Sequence, residues 1–128
     1  MRSTKDTGGS RRSQHDRSAD TKKRLIDATV SCICEFGLGN TTTIEVARRA
    51  GVTRGALQYQ FGTRADLLIA VLDHLSDEML RLTRDLPTGL LPVEARIKII
   101  IRRYWTVYTS PSFLAVLKIF LGASSDDM

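Results

Sequence analysis

Residues 42–61 read TTIEVARRAGVTRGALQYQF, in which two short helical patterns flank a glycine. Thr42 followed three residues later by Glu45 is typical of a capping box, and it predicts a helix that ends before Gly51. A second helix then follows from Arg54 to Phe61, with a threonine immediately before it as the cap. Two short helices joined by a tight turn predict a helix-turn-helix.

Small residues in this pattern allow the two helices to pack closely. Ala47 lies in the middle of the first helix, and Gly51 accepts the positive φ that a sharp turn requires. Val52 and Leu57 are expected to fill the angle between the helices. The second helix is then free to lie in a major groove of DNA, N-terminal residues first.

The flanking sequence continues the helical pattern on both sides. Apolar residues recur at spacings of three and four, and Thr63 with Asp66 forms a second capping-box pattern. No segment shows the alternation of a strand, so we expect an all-α fold. The further predicted helices lie at 21–36, 63–85, 93–109 and 111–121.

The positive charge is concentrated at the N-terminus. Eight basic and three acidic residues among the first 24 account for the whole net charge of +5. A basic segment on a neutral remainder suits a polyanionic partner, and a solvated leader is the alternative. Residues 1–17 have almost no apolar side chains and are predicted to be a disordered basic arm.

Several other classes of protein are disfavoured. No apolar stretch reaches the roughly 18 residues of a membrane span, and no secretory signal is present, so a cytosolic location is expected. Cys32 and Cys34 would point in different directions on a helix and are predicted to be core side chains. We find no phosphate loop, metal cluster or catalytic triad, so we expect neither an enzyme nor a cofactor or metal.

Residues 24–72 resemble the DNA-binding domain of the TetR family of bacterial transcriptional regulators. The matching stretches are Arg24–Ala28, Phe36-Gly37, Thr41-Thr42, Val46-Ala47, Ala50–Thr53, Gly55–Leu57, Phe61 and Asp66–Leu68. The resemblance implies a three-helix DNA-binding domain over residues 18–82. A long helix would join it to a shortened helical domain for ligand sensing and dimerisation over residues 83–128.

The resemblance also implies a homodimer on a near-palindromic operator, acting as a repressor that a small molecule releases. The residues expected to contact bases are Arg54, Gly55, Ala56, Gln58 and Gln60. Those expected to contact phosphates, by resemblance or by position at a helix start, are Thr42, Thr43, Tyr59, Thr63 and Arg64. The family usually has an aromatic residue, most often Tyr, where Gln58 stands, and often His or Tyr where Gln60 stands; these two departures bear on which operator is bound. Arg64 replaces the usual Lys, a conservative change for a phosphate contact.

The C-terminal region leaves more than one interpretation open. Tyr104, Trp105 and Tyr108 are a candidate effector pocket, and ordinary core aromatics are the alternative. Because family members are typically longer, we expect either a fragment or a different mode of dimerisation. A truncated helical protein that acts through a full-length relative, without its own operator binding, is the alternative function. A small-molecule-binding module with a vestigial DNA-binding domain is a third.

Overall fold

The computed structural model describes residues 12–86 and 89–125, and within these ranges the chain is entirely helical and contains no strand. The all-α prediction is therefore confirmed for the part of the chain that is described. Its six helices are α1 (Arg12–Phe36), α2 (Thr43–Ala50), α3 (Arg54–Gln60), α4 (Arg64–Arg84), α5 (Val93–Tyr108) and α6 (Pro111–Ser125).

The turn between α2 and α3 has the predicted geometry. Gly51 has a φ of 68°, in the left-handed region, and its N–H donates to carbonyls of the last turn of α2. Thr53 then caps α3, where its Oγ1 accepts from the N–H of Ala56 at 3.0 Å. Helix α3 ends at Gln60 rather than at the predicted Phe61, which is instead the C-cap.

Helix α1 begins nine residues earlier than the apolar periodicity predicts. The prediction of a disordered arm is wrong for residues 12–17, which are helical, whereas residues 1–11 lie outside the described ranges. A long-range contact accounts for part of the difference: Nε2 of Gln60 donates to Oγ of Ser18 at 2.7 Å. This hydrogen bond holds the first turns of α1, which are polar and therefore give no apolar periodicity from which a helix could be predicted.

The core is built around α1, whose inner face packs on α2, α3, α4 and α6. The largest fully buried side chains come from three different helices, so the N-terminal half is closed around a common centre. Burying each such aliphatic side chain contributes about 1.5–3 kcal/mol to folding. These residues are Leu25, Ile33, Val46, Leu67 and Val71.

Helix α6 packs back onto the end of α1. Nζ of Lys118 donates to the carbonyl of Cys34 at 3.0 Å and so satisfies a last-turn acceptor of α1. The sequence pattern predicts this helix over 111–121, but α6 continues through Gly122 to Ser125, so the glycine does not end it. The glycine instead permits close packing, because a Cβ there would lie 2.6 Å from Cδ2 of Leu38.

The cysteines behave as the sequence predicts. Both cysteines are free thiols. Cys32 is fully buried in the core, and the partly buried Cys34 packs against the edge of the core. Burial raises the pKa of the Cys32 thiol.

Among the described residues, no single helix is long and apolar enough to cross a membrane. Helices α5 and α6 together have the length and composition of one span, but their axes are bent by 62° where they meet.

Candidate nucleic-acid interface

A cluster of polar contacts fixes α2 on α1. The Arg49 guanidinium donates to Oε2 of Glu35 at 2.6 Å and to Oγ of Ser31 at 2.8 Å, and it lies 5.0 Å from the ring centroid of Phe36. The sequence alone offered no reason to distinguish Arg49 from a solvent-facing charge. Its place three residues after the buried Val46, on the side of α2 that faces α1, is the signal that could have identified it.

Helix α3 presents a polar face to solvent. Arg54 and Gln58 are exposed, and among the described residues no hydrogen bond or ion pair holds either side chain. Tyr59 is 86% exposed, although aromatic rings are usually more buried than this. Leu57, on the opposite side, is buried against the core. The helix is therefore anchored by one face, and the other carries groups that can donate and accept hydrogen bonds.

The first turn of α3 contains two residues with little or no side chain, Gly55 and Ala56. A Cβ at Gly55 would meet only Oγ1 of Thr53, at 3.9 Å, so the backbone has open space around it. Ala56 is partly buried. A surface without bulky side chains at this point lets another molecule approach the helix backbone closely.

A depression of about 310 Å³ separates α3 from the first turns of α2 and α4. Three helices contribute to its wall, and most of the lining groups are polar. The N-termini of α2 and α4 therefore meet two arginine side chains at one place, an arrangement that favours an anion. The polar lining residues are Thr43, Arg54, Gln58, Thr63 and Arg64.

Thr42 and Thr63 both act as helix caps. Oγ1 of Thr42 accepts from the N–H of Glu45 at 3.2 Å, but the Glu45 carboxylate binds Arg48 rather than completing the predicted capping box. Thr63 and Asp66 form the full reciprocal box. Both threonine side chains lie exposed at the edge of the interface.

Arg64 makes intramolecular contacts that the sequence does not indicate. Its Nε donates to the carbonyl of Thr41 at 3.1 Å, and Nη2 donates to that of Leu38. The guanidinium therefore holds the loop from which α2 begins. The side chain still borders the depression, so a phosphate contact there stays a prediction.

Gln60, predicted to contact a base, is half-buried. Its amide Nε2 is directed at Ser18, 2.7 Å from the hydroxyl oxygen and 3.4 Å from the carbonyl oxygen. The donor that a base would need is thus engaged with α1. The side chain of Gln58, two residues earlier in α3, is exposed and has no such contact among the described residues.

The charge of Glu45, on α2, is compensated by Arg48. The hydrogen bond from Arg48 holds the pKa of the Glu45 carboxyl below its usual range. Residues 41–64 carry four arginines against this one acidic residue. Arg48 and Arg49 are paired with Glu45 and Glu35, whereas Arg54 and Arg64 line the depression and offer positive charge to a polyanion there.

The three aromatic residues of the candidate effector pocket lie on α5. The Tyr104 and Tyr108 rings are 6.2 Å apart, and Tyr108 packs edge-on to Phe113 at 4.8 Å. Trp105 is 68% exposed. A depression of about 410 Å³ lies beside them between α4 and α5, but its lining includes Arg81, Arg103, Thr106 and Val107 rather than the aromatic rings.

A family model described as bacterial regulatory proteins, tetR family, matches residues 25–71. TtgR, an HTH-type transcriptional regulator of Pseudomonas putida, is 34% identical over 62 residues, which are 48% of this chain and 30% of TtgR. BetI, an HTH-type transcriptional regulator of Escherichia coli, is 34% identical over 84 residues, 62% of this chain and 42% of BetI. The matches thus span less than half the length of these relatives.

Solved structures share the fold. A gamma-butyrolactone receptor described as ArpA-like superposes with a TM-score of 0.66 at 30% identity and covers 80% of this chain and 52% of its own. A TetR-family regulator from Haemophilus influenzae gives a TM-score of 0.67 at 21% identity over 81% of this chain and 57% of its own. The second likeness shows the fold alone. Residues 25–71 of this chain are therefore similar to the tetR family of bacterial regulatory proteins.

Proposed function

We propose that this chain binds duplex DNA and regulates transcription, with α3 in the major groove. The observation that carries the proposal is the solvent-facing side of α3. Arg54 and Gln58 are exposed there and make no side-chain hydrogen bond within the described residues, while the buried Leu57 fixes the opposite side of the helix to the core. Arg donates bidentately to guanine and Gln to adenine. The similarity to TtgR and BetI, which are HTH-type transcriptional regulators, supports the same proposal.

Contacts divide between bases and phosphates. Arg54 and Gln58 read base edges, while Gly55 and Ala56 allow the backbone to approach them. A phosphate oxygen occupies the depression between the starts of α2 and α4. Thr43, Thr63 and Arg64 line this depression, and the exposed side chains of Thr42 and Tyr59 contact other phosphates.

We further propose that the protein represses its target genes as a homodimer on a near-palindromic operator in the bacterial cytoplasm. Large exposed apolar side chains on α5 and α6 favour self-association; Ile101 is 62% and Phe120 68% exposed. A small molecule that binds beside Tyr104, Trp105 and Tyr108 would release the DNA. The similarity to a gamma-butyrolactone receptor supports a ligand-binding role for the C-terminal helices α5 and α6.

Selection from a randomised duplex library tests the proposal. The purified protein should enrich one sequence, with two half-sites in inverted repeat about one helical turn apart. The Arg54→Ala variant, carried through the same selection, should enrich a motif that has lost one base preference. A library that stays random after several rounds with the wild-type protein would contradict sequence-specific binding.

The exposed apolar side chains also favour a second candidate function, association with a full-length relative without operator binding. Sedimentation of the protein alone and with the selected duplex discriminates between the two. A dimer that binds one duplex supports the regulator. A monomer that fails to bind any duplex supports the second candidate.

A further inference from the structure

The contact between Gln60 and Ser18 joins the end of α3 to the first turns of α1. These residues are 42 positions apart in the sequence, and the 2.7 Å bond from Nε2 of Gln60 to Oγ of Ser18 is partly buried. A second, longer hydrogen bond of 3.4 Å runs from Nε2 of Gln60 to the backbone carbonyl oxygen of Ser18, in the same turn of α1. The first turns of α1 are otherwise polar and exposed, so this contact is a main constraint on their position.

Two basic side chains of α1, Arg17 and Arg24, lie on the helix face next to the one that carries Ser18, about 100–120° away around the helix axis. Nη2 of Arg24 would be 3.1 Å from a Cβ at Gly51, so Arg24 reaches over the turn between α2 and α3. Arg17 precedes Arg24 by seven residues, which places it on the same face of the helix and about 10 Å nearer the N-terminus. Arg17 is exposed, and the neighbouring Asp20 is 4.0 Å from Arg24.

From this placement we infer that Gln60 is a positioning residue and that Arg17 is a DNA-phosphate contact. Gln60 holds the first turns of α1 beside α3, so that Arg17 meets a phosphate flanking the groove that α3 enters. The inference rests on the proposed DNA binding and deepens it. It assigns Gln60 a role other than base recognition, because its amide donor is already engaged with Ser18.

Hydrogen exchange of the DNA-free protein tests the contact itself. Gln60→Ala and Ser18→Ala each remove one partner of the hydrogen bond and should speed exchange of the amides around Ser18, while those in the middle of α4 stay protected. Ser18→Thr keeps the hydroxyl and should exchange as the wild type does. Unchanged exchange in Gln60→Ala would overturn the inference without any reference to DNA.

Binding to the selected duplex across a salt series tests the role of Arg17. Arg17→Ala should reduce the slope of log Kd against log salt by about one phosphate contact. Gln60→Ala should weaken binding about three- to tenfold, as expected for loss of one hydrogen bond. The Arg17→Ala/Gln60→Ala double variant should bind no more weakly than Arg17→Ala alone. Arg102→Ala, a matched exposed arginine on α5, should bind as the wild type does.

The outcomes separate this inference from the proposed function. A wild-type protein that fails to prefer the selected duplex contradicts the proposed function, and the exchange experiment still decides the contact. If the wild type binds but Gln60→Ala changes the preference at one base pair and Ser18→Ala changes nothing, Gln60 is a base reader. Additive losses in the double variant would show that Gln60 does not act through Arg17. Either result overturns the inference.

Discussion

Nε of Arg64 donates to the carbonyl oxygen of Thr41 at 3.1 Å, and this bond joins the first turn of α4 to the loop from which α2 begins. A second bond, from Nη2 to the carbonyl of Leu38, makes the attachment two-pronged. A lysine ammonium is a single point donor on a flexible stem and cannot reproduce this fork. Arg64 therefore positions α2 in addition to any charge it offers to DNA.

Replacing Arg64 with Lys tests that distinction. Arg64→Lys should lower the free energy of unfolding by about 1 kcal/mol and weaken binding to the selected duplex nearly as much as Arg64→Ala does. Urea denaturation and DNA titration of both variants measure this. Wild-type stability and affinity in Arg64→Lys would show that only the positive charge matters at this position.

Two glycines of the helix-turn-helix should respond oppositely to alanine. Gly51→Ala forces a side chain into a left-handed φ of 68° beside Arg24 and should destabilise the fold by about 1–2 kcal/mol. Gly55→Ala adds a methyl group in open space on a helix and should stabilise the fold by up to about 1 kcal/mol.

The DNA affinity of Gly55→Ala should fall even though the fold becomes more stable, because the methyl group lies where α3 approaches the bases. Urea midpoints and DNA titrations on the same samples measure both effects. Equal stability of the Gly51 and Gly55 variants would contradict the assigned turn geometry.

Arg54 and Gln58 should affect specificity more than general affinity. Each alanine variant is expected to lose about 1–3 kcal/mol of discrimination at one base pair in each half-site, while binding to a scrambled duplex changes little. Competition titrations with single-base variants of the selected duplex measure this. A uniform loss on every duplex would assign these side chains to phosphates instead.

The Glu45–Arg48 pair predicts an acid-sensitive contribution to stability. The pKa of Glu45 is lowered in the folded protein, so its stabilising effect is present above the ordinary value of 4.5 and is lost as the pH falls through the lowered pKa. The wild-type protein should therefore be more stable than Glu45→Gln near neutral pH, and the difference should shrink in acid. A difference that grows as the pH falls would have the wrong sign for this pairing.

The order and limits of the helices follow closely from sequence pattern, because caps and glycines act locally. Thr53, Thr63 and Gly51 satisfy backbone groups within their own turns, so three or four residues suffice to predict them. Helix α1 shows where this reasoning ends. Its first turns depend on Ser18 meeting Gln60 across 42 residues, and no local pattern carries that information.

For the candidate site, the sequence predicts which side chains are exposed but not which tertiary contacts they make. Exposure of Arg54, Gln58 and Tyr59 follows from one buried position, Leu57, which orients a short helix. The partners of Arg64 and Gln60 did not follow, because both side chains bind other helices or loops through tertiary contacts. Residue type predicts what a side chain can bind, and the fold decides which of its donors remain available.

The ratio of affinities for the selected and scrambled duplexes, measured across a salt series, tests sequence-specific DNA binding most directly. The selected duplex should bind at least about a thousandfold more tightly at physiological salt, and log Kd for both should change linearly with log salt. Equal affinity for the two duplexes at every salt concentration would contradict the assignment of α3 as a base-reading helix.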